Sequence, residues 1–452
     1  MSAIDLAQHR SLLGELFFAA TAATNGSLLL GRGGSVEGST WHYRTQSLDF
    51  QFPLPTTEHG GKLVVVGAGK AAASLAAGLE LSLGSRIHAG CIITKYGHAM
   101  PLTRSRVIEA GHPVPDEAGA LGTQAVLALV GNLSTHDCAF VVLTGGASAL
   151  LTAPASGLTL EDKSVVNALL VRSGASINHI NVVRKHLSAV KGGGLLRLSN
   201  GARLCTLVIS DVIGDDLSTI GSGPTVADPS TFQDALEVLS THGLMHVVPE
   251  RALERLRSGA LGLVPETLKP DDNRLTRNTS LIIANLGHAL AAMSERASAL
   301  GLATQMQADA IRGDTHVAAR RFADWILRSL DRRVRGAPPL ALIAGGETTL
   351  VVRGRGRGGR NQEFALVVAR ELRGVPNVTV LAAGTDGTDG PTDAAGAYAD
   401  GSTCERAVAR GIDPEKTLAN NDSYALFAAL GDHFHSGPTG TNVTDVCVAI
   451  VG

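Results

Sequence analysis

The chain has 452 residues, too many for one typical domain, and 44% of them are hydrophobic, enough for two cores. Its 39 Lys+Arg against 41 Asp+Glu leave no basic excess, which argues against a general nucleic-acid or membrane-surface binder and makes any anion binding local. Five cysteines occur singly with no CxxC pair, so neither a disulfide framework nor a zinc site is expected.

At the N-terminus, Asp5, Arg10 and Glu15 interrupt an apolar pattern, which predicts an amphipathic helix rather than a signal peptide. No run approaches the ~18 apolar residues of a membrane span, and a cytoplasmic location is the expectation. From residue 62 onward apolar strands end in small-residue turns and lead into helical patterns. KLVVVGAGKAAASLAAGLE is the first such unit, followed by AGCIITKYG, SRVIEAGHPVP, CAFVVLTGGASALL and RLCTLVISDVIGDD. Residues 258–277 lose periodicity and gather Pro, Asp and Arg, which reads as a domain boundary. The alternation restarts at NTSLIIANLGHALAAM and continues through strands at PLALIAGG, TTLVVRG, VTVLAAGTDG and, at the C-terminus, DVCVAIVG. The predicted fold is α/β, with two α/β domains whose mostly parallel sheets are flanked by helices. Residues 1–270 form the N-terminal Rossmann-like domain and 271–452 the C-terminal one.

Candidate chemistry sits in the turns. Gly67, Gly69 and Ala72 partly match the dinucleotide fingerprint, but the next strand ends in Lys95 where a ribose-binding acid belongs. Lys70 falls at a helix N-terminus, where an ammonium is disfavoured unless an anion shares the site. A solvated surface lysine is the competing reading. LTGGASALL offers Gly145, Gly146 and Ser148 at a helix N-cap. RKHLSAVKGGG gathers Arg184, Lys185, His186 and Lys191, either an anion site or a basic helix end. Asp211 directly follows a strand and is placed to bind a metal or accept a proton, whereas Asp215 and Asp216 divide evenly between function and turn-making.

The stretch 345–370 is the strongest signal. Arg353, Arg355, Arg357 and Arg360 lie in a glycine-rich run able to curl its N–H groups around an anion, with Glu347 before it and Asn361, Gln362 and Glu363 after. Arg360, at the helix start, is the preferred ligand-facing arginine. Asp386, Asp389 and Asp393 recur after a strand, and oxygen ligands of this kind suit a hard cation carried in with a nucleotide. His433 and His435 alternate with no third ligand nearby and read as structural.

The blocks VGAGKAA, GHPVPDEAG, LTGGASALL, RKHLSAVKGG, SDVIGDD, GSGPT, AGGETT, GRGGRNQE, GTDGTDGPTDAAGA and GPTGTNV run in order from residue 64 to 443. Together they resemble the class II glycerate 2-kinases, the family whose C-terminal part is called the MOFRL domain. The resemblance implies two α/β domains with the active site in the cleft between them. It implies transfer of the ATP γ-phosphoryl group to the 2-hydroxyl of D-glycerate, with Mg²⁺, giving 2-phosphoglycerate. Two departures stand out: Ala147 where the family usually has a third glycine, and GDTH at 313–316 for its GEAR-like segment, which leaves any role of Asp314 open.

Residues and resemblance together nominate Lys70, Arg360 and Asp211 as catalytic. Gly67, Gly69, Gly145, Gly146, Ser148, Lys191, Glu347, Asn361 and Glu363 are nominated for substrate or nucleotide binding, and Asp386 and Asp389 for the metal. Glycerate and ATP are the expected partners, with no nucleic acid and no membrane. The rival reading is an NAD(P)-dependent hydroxypyruvate or 2-hydroxy-acid reductase, to which the GAGKAA turn lends itself. A non-catalytic nucleotide or sugar-phosphate sensor is a third.

Overall fold

A computed structural model describes residues 6–56, 60–334 and 336–452. The chain divides into two compact units, one comprising Gly26–Ile283 and the other Met1–Asn25 with Ala284–Gly452. Two α/β units are therefore present, but the chain changes unit near 25 and 283 rather than near 270. Two packing facts move these limits. Helix Leu6–Thr24 buries Leu13, Leu16 and Phe17, with Phe17 edge-on to Phe434 at 4.8 Å, so it belongs with the C-terminal residues. Residues 258–277 are no linker: Leu268 is buried in the first unit's core and its amide donates to Gly192 O.

The unit Gly26–Ile283 is built on a six-stranded sheet. In spatial order its strands are Ser105–Ala110, Ala89–Lys95, Leu63–Ala68, Cys138–Thr144, Arg203–Ile209 and Asn278–Ala284. The registered neighbours among the first five are all parallel. Leu63–Ala68 and Cys138–Thr144 are buried along their whole length, as strands covered on both faces must be. Numbered within this sheet, the order is 3-2-1-4-5-6, the doubly wound arrangement, whose direction of winding reverses between the first and fourth strands. A three-stranded antiparallel sheet, Gly34–Glu37, Thr40–Arg44 and Asp49–Pro53, precedes it and packs Trp41 against Phe140 at 4.9 Å. Its short segments carry no strand–glycine–helix signature, so the sequence pattern did not announce it.

The other unit has a seven-stranded sheet that is mixed rather than mostly parallel. Asp445–Val451 lies between Leu340–Thr349 and Val378–Gly384, antiparallel to both, and Gly396–Asp400 and His433–Phe434 continue antiparallel. Ala303–Met306 and Ile311–Asp314 pair parallel with Leu340–Thr349. The expected separate strand at TTLVVRG does not form; the sheet ends at Thr349 and Val351 and Val352 are exposed. Helix Arg360–Glu371 is buried from Asn361 to Ala369, so its N-terminus is held by core contacts rather than by propensity. No single helix among the described residues is long and apolar enough to cross a membrane.

Candidate active site

In the doubly wound unit the nominated residues cluster where the winding reverses. Register sets Ala68 beside Leu143 and Thr144 beside Ile209, so the turns carrying Lys70, Gly145–Ser148 and Asp211 follow neighbouring strand ends. Ligands of open α/β sheets bind at such a switch point, outside the carboxyl ends of the strands. The Lys70 amide donates to Gly145 O at 2.9 Å, and the following amide, of Ala71, donates to Thr144 Oγ1 at 3.0 Å. Gly146 sits in the left-handed region, φ 84°, and a Cβ there would come within 2.9 Å of the His112 ring and 3.4 Å of Lys70 Cγ. Its lack of a side chain leaves room for both.

Gly67 and Gly69 are required by close backbone packing. A Cβ on Gly67 would lie 1.9 Å from Val142 O, and one on Gly69 2.1 Å from Thr144 Oγ1. These glycines let adjacent backbone pack closely. Ser148 is not the N-cap; that position belongs to Gly146, and Ser148 is the second residue of the short helix Ala147–Leu150. Asp216 accepts from the Ser218 amide and the Ser218 and Thr219 hydroxyls, which makes it a turn-former.

The basic cluster 184–191 is internal rather than a solvated helix end. Lys185 pairs with the buried Asp228 at 3.2 Å, Arg184 Nε donates to Asn167, and His186 Nε2 lies 3.2 Å from Glu266. Lys191 is buried and lies 2.8 Å from both the carbonyl oxygen and the hydroxyl of Ser148, and 3.4 Å from Gly221 O. Burial pulls its ammonium well below the usual lysine range, and the charges of Lys163 and Arg184 add to the effect. The structure thus brings Ser148 and Lys191 together.

In the other unit Arg360 begins the buried helix. Its Nε donates to Asp445 Oδ2 at 2.6 Å, Nη2 to Asp445 Oδ1 at 3.1 Å and Nη1 to Glu347 Oε1 at 2.5 Å. Burial alone lowers the guanidinium pKa, but Asp445 and Glu347 outweigh it and hold the group above its ordinary value. Three of its five N–H donors are engaged in these contacts. Glu347 is 48% exposed while Asp445 is 8% exposed, so one carboxylate is a fixed anchor and the other is within reach of solvent and exchange.

The glycine-rich loop does not aim its amides at an anion. Arg353 and Gly354 donate to Asn421 Oδ1, Arg355 to Asn420 Oδ1 and Arg357 to Asp422 Oδ1. Asn421 in turn donates to both oxygens of Glu363, whose Oε1 also lies 2.6 Å from His316 Nε2. Glu363 is 1% exposed and acts as a bracket beneath the loop. The GDTH segment is explained by the same contacts: His316 reaches Glu363, and Asp314 caps helix Thr315–Asp331 by accepting from the Val317 amide.

Asp389 is likewise reassigned. It accepts from the amide and side-chain nitrogens of both Asn361 and Gln362 at 2.9–3.3 Å, so both oxygens close the helix N-terminus. Burial pushes its carboxyl up to about 6 despite those donors. Asp386 Oδ1 accepts from the Thr388 amide and hydroxyl. With both Asp389 oxygens filled by N–H donors, that carboxylate has little left for a hard cation. Among the described residues no group of three His, Cys, Asp or Glu is arranged to hold a metal ion. Asn361 is 3% exposed and bonded to Asp389, which makes it part of the helix cap.

Sequence reasoning passed over Asp445, His112 and Ser222. Asp445 opens the last strand, and only its register, opposite Gly346 on one side and Gly384 on the other, sets it beside Arg360. His112 stands in GHPVPDEAG and Ser222 in GSGPT, segments already marked by their composition.

Comparison with known proteins agrees along most of the chain. A family model described as a domain of unknown function, DUF4147, matches residues 18–257, and the MOFRL family model matches residues 340–445. A protein of Pyrococcus horikoshii named glycerate 2-kinase is 40% identical over 86% of this chain and 88% of its own length. An Agrobacterium vitis protein that bears a hydroxypyruvate reductase name is 41% identical over 87% of this chain and 88% of its own. The crystal structure of a glycerate kinase from Thermotoga maritima superposes with a TM-score of 0.80 at 35% identity, covering 98% of this chain and 99% of that one. Switch-point geometry, the anchored arginine and these matches lead to one conclusion: the chain belongs to the glycerate 2-kinase family with a MOFRL domain.

Proposed function

We propose that this protein transfers the γ-phosphoryl group of ATP to the 2-hydroxyl of D-glycerate, yielding 2-phosphoglycerate and ADP. The observation that carries the reading is Arg360. Asp445 fixes the plane of its guanidinium, while its remaining partner, Glu347, is half-exposed and replaceable by an incoming carboxylate or phosphate. Phosphoryl transfer asks little covalent chemistry of a protein; it asks for placed cations and an oriented acceptor. Lys70, beside Gly145 and Gly146 at the switch point, supplies a second cation and meets phosphate charge as it develops. Asp211, at the end of the neighbouring strand, is the proposed acceptor of the glycerate hydroxyl proton. Magnesium is proposed to ride on the nucleotide phosphates, because both oxygens of Asp389 are committed to helix-cap contacts.

The reductase reading rests on the name of the Agrobacterium relative. Against it, the second strand of the doubly wound sheet ends in Lys95, which offers no acceptor for a ribose hydroxyl. One experiment separates the readings. Purified protein with MgATP and D-glycerate gives a 2-phosphoglycerate signal in phosphorus NMR, and with NADH and hydroxypyruvate it leaves the NADH absorbance unchanged. A dominant 3-phosphoglycerate signal overturns the regiochemistry, and NADH consumption without ATP use overturns the kinase reading.

A further inference from the structure

Two of the cavities are lined by arginines, and they differ in how those charges are met. In the unit Gly26–Ile283, a cavity of about 810 Å³ has Arg274 paired with Asp272, while Arg197 and Arg277 donate to the carbonyl oxygens of Glu266 and Gly201. Its guanidinium groups have protein acceptors. In the other unit, a cavity of about 610 Å³ lies at the sheet edge, where strand Ala303–Met306 leaves Leu340–Thr349 and Ile311–Asp314 takes its place. Arg312, Arg321 and Arg328 line it against a single acid, Asp309. None of these three side chains has a hydrogen bond or ion pair to any described residue. Arg321, Trp325 and Arg328 stand four and three residues apart on helix Thr315–Asp331, which sets them on one face. Trp325 is half-buried, its ring edge-on to the buried Phe322 at 5.8 Å, and its indole N–H has no acceptor among the described residues. Phe322 and Ile311 belong to the core beneath, so the floor is apolar and fixed.

We propose that this cavity is a separate ligand site, one that takes a small phosphate monoester bearing a flat ring. Its size is that of a small-molecule pocket, and it joins an apolar floor to a few convergent polar groups. The ring stacks on the indole of Trp325, which Phe322 holds in place. The phosphate is held by the guanidinium groups that flank it, whose forks match its oxygens. Arg321 and Arg328 start about 10 Å apart along the helix axis, within the joint reach of two arginine side chains. No residue lining this cavity bonds to Arg360 or stands in the turns that carry Lys70 and Asp211, so the site is independent of the kinase reading.

Phenyl phosphate is the probe and tryptophan emission the readout. The chain has two tryptophans, and Trp41 is fully buried in the other unit, so a change on binding reads Trp325. Titration of the full chain at low ionic strength gives a saturable change in emission, which Trp325→Phe removes and which inorganic phosphate reverses by displacing the probe. Replacing Arg321→Gln and Arg328→Gln together raises the half-saturating concentration by roughly tenfold or more, the scale of one lost charged hydrogen bond. The same double variant keeps wild-type turnover of ATP with glycerate, and thermal melts confirm that each variant is folded. Wild-type protein whose emission does not respond overturns the proposal. So does a folded double variant that saturates at the wild-type concentration, because the probe then sits elsewhere. A probe that inorganic phosphate cannot displace overturns the role of the arginines.

Discussion

Arg360→Lys is the sharpest test of the proposed site, because it keeps the charge and removes the fork. The guanidinium spans Asp445 through Nε and Nη2 and reaches Glu347 through Nη1, three contacts between 2.5 and 3.1 Å. An ammonium on a flexible stem can stay with one carboxylate but cannot hold that plane. Hydrogen bonds to charged groups contribute about 1.5–3 kcal/mol each, and the partial exposure of Arg360 favours the lower part of that range. Loss of one such oriented contact in the transition state lowers kcat/KM by roughly 10- to 100-fold. The assay is coupled ADP release with glycerate and ATP each varied, alongside urea denaturation to show that the variant is folded. Arg353→Lys is the matched control. Its side chain is exposed, and its backbone amide, which the substitution keeps, makes the contact to Asn421. Its turnover stays within about twofold, the small effect expected of an exposed charge that keeps its sign. If folded Arg360→Lys matches Arg353→Lys in kcat/KM, the guanidinium plane has no part in the reaction and the argument from Asp445 collapses.

Three further outcomes follow from the same contacts. Lys70→Ala loses roughly 10²-fold in kcat, the size of one preorganised electrostatic contact, with its melting temperature unchanged; near-normal turnover assigns the lysine to solvated surface. Asp389→Ala orphans the amides of Asn361 and Gln362 and costs on the order of 2–4 kcal/mol in stability, while the Mg²⁺ concentration for half-maximal rate stays put. A shifted Mg²⁺ titration in a folded Asp389→Ala variant restores the metal role. Lys163 is buried, its ammonium lowered to about 8 by burial and by Arg184. Its folded-state pKa lies below the ordinary lysine value, so the unfolded chain binds the extra proton between about 8 and 10.5 and stability gains from this group as pH rises through that window. Relative to wild type, Lys163→Met is therefore more stabilising at pH 7 than at pH 10 by urea midpoints, and a difference independent of pH removes the linkage.

The sequence by itself determined the first five strands of the doubly wound sheet and the turns that hold the candidate residues. The sixth strand, Asn278–Ala284, was expected in the C-terminal domain and joins this sheet only in the fold. Strands buried on both faces must be continuous apolar runs, and the turns after them must hold Lys70, Gly145, Ser148 and Asp211, so both are written locally. Arg360 was legible for a similar reason, as a charge set at the start of an apolar helical run. What each polar group bonds to was decided only by tertiary structure. Asp389 and Glu363 look like ligand-facing acids in their own segments. One accepts from the Asn361 amide, 28 residues earlier, at a helix N-terminus, and the other reaches an asparagine 58 residues away. Asp445 meets Arg360 across 85 residues through strand register alone. The N-terminal helix likewise carries an amphipathic pattern that predicts burial without naming the sheet that receives it, and that sheet is made of the last residues of the chain. Periodicity along a chain records which groups need partners; only the fold selects them, because the partners come from strands and loops whose neighbours are set by winding order and register.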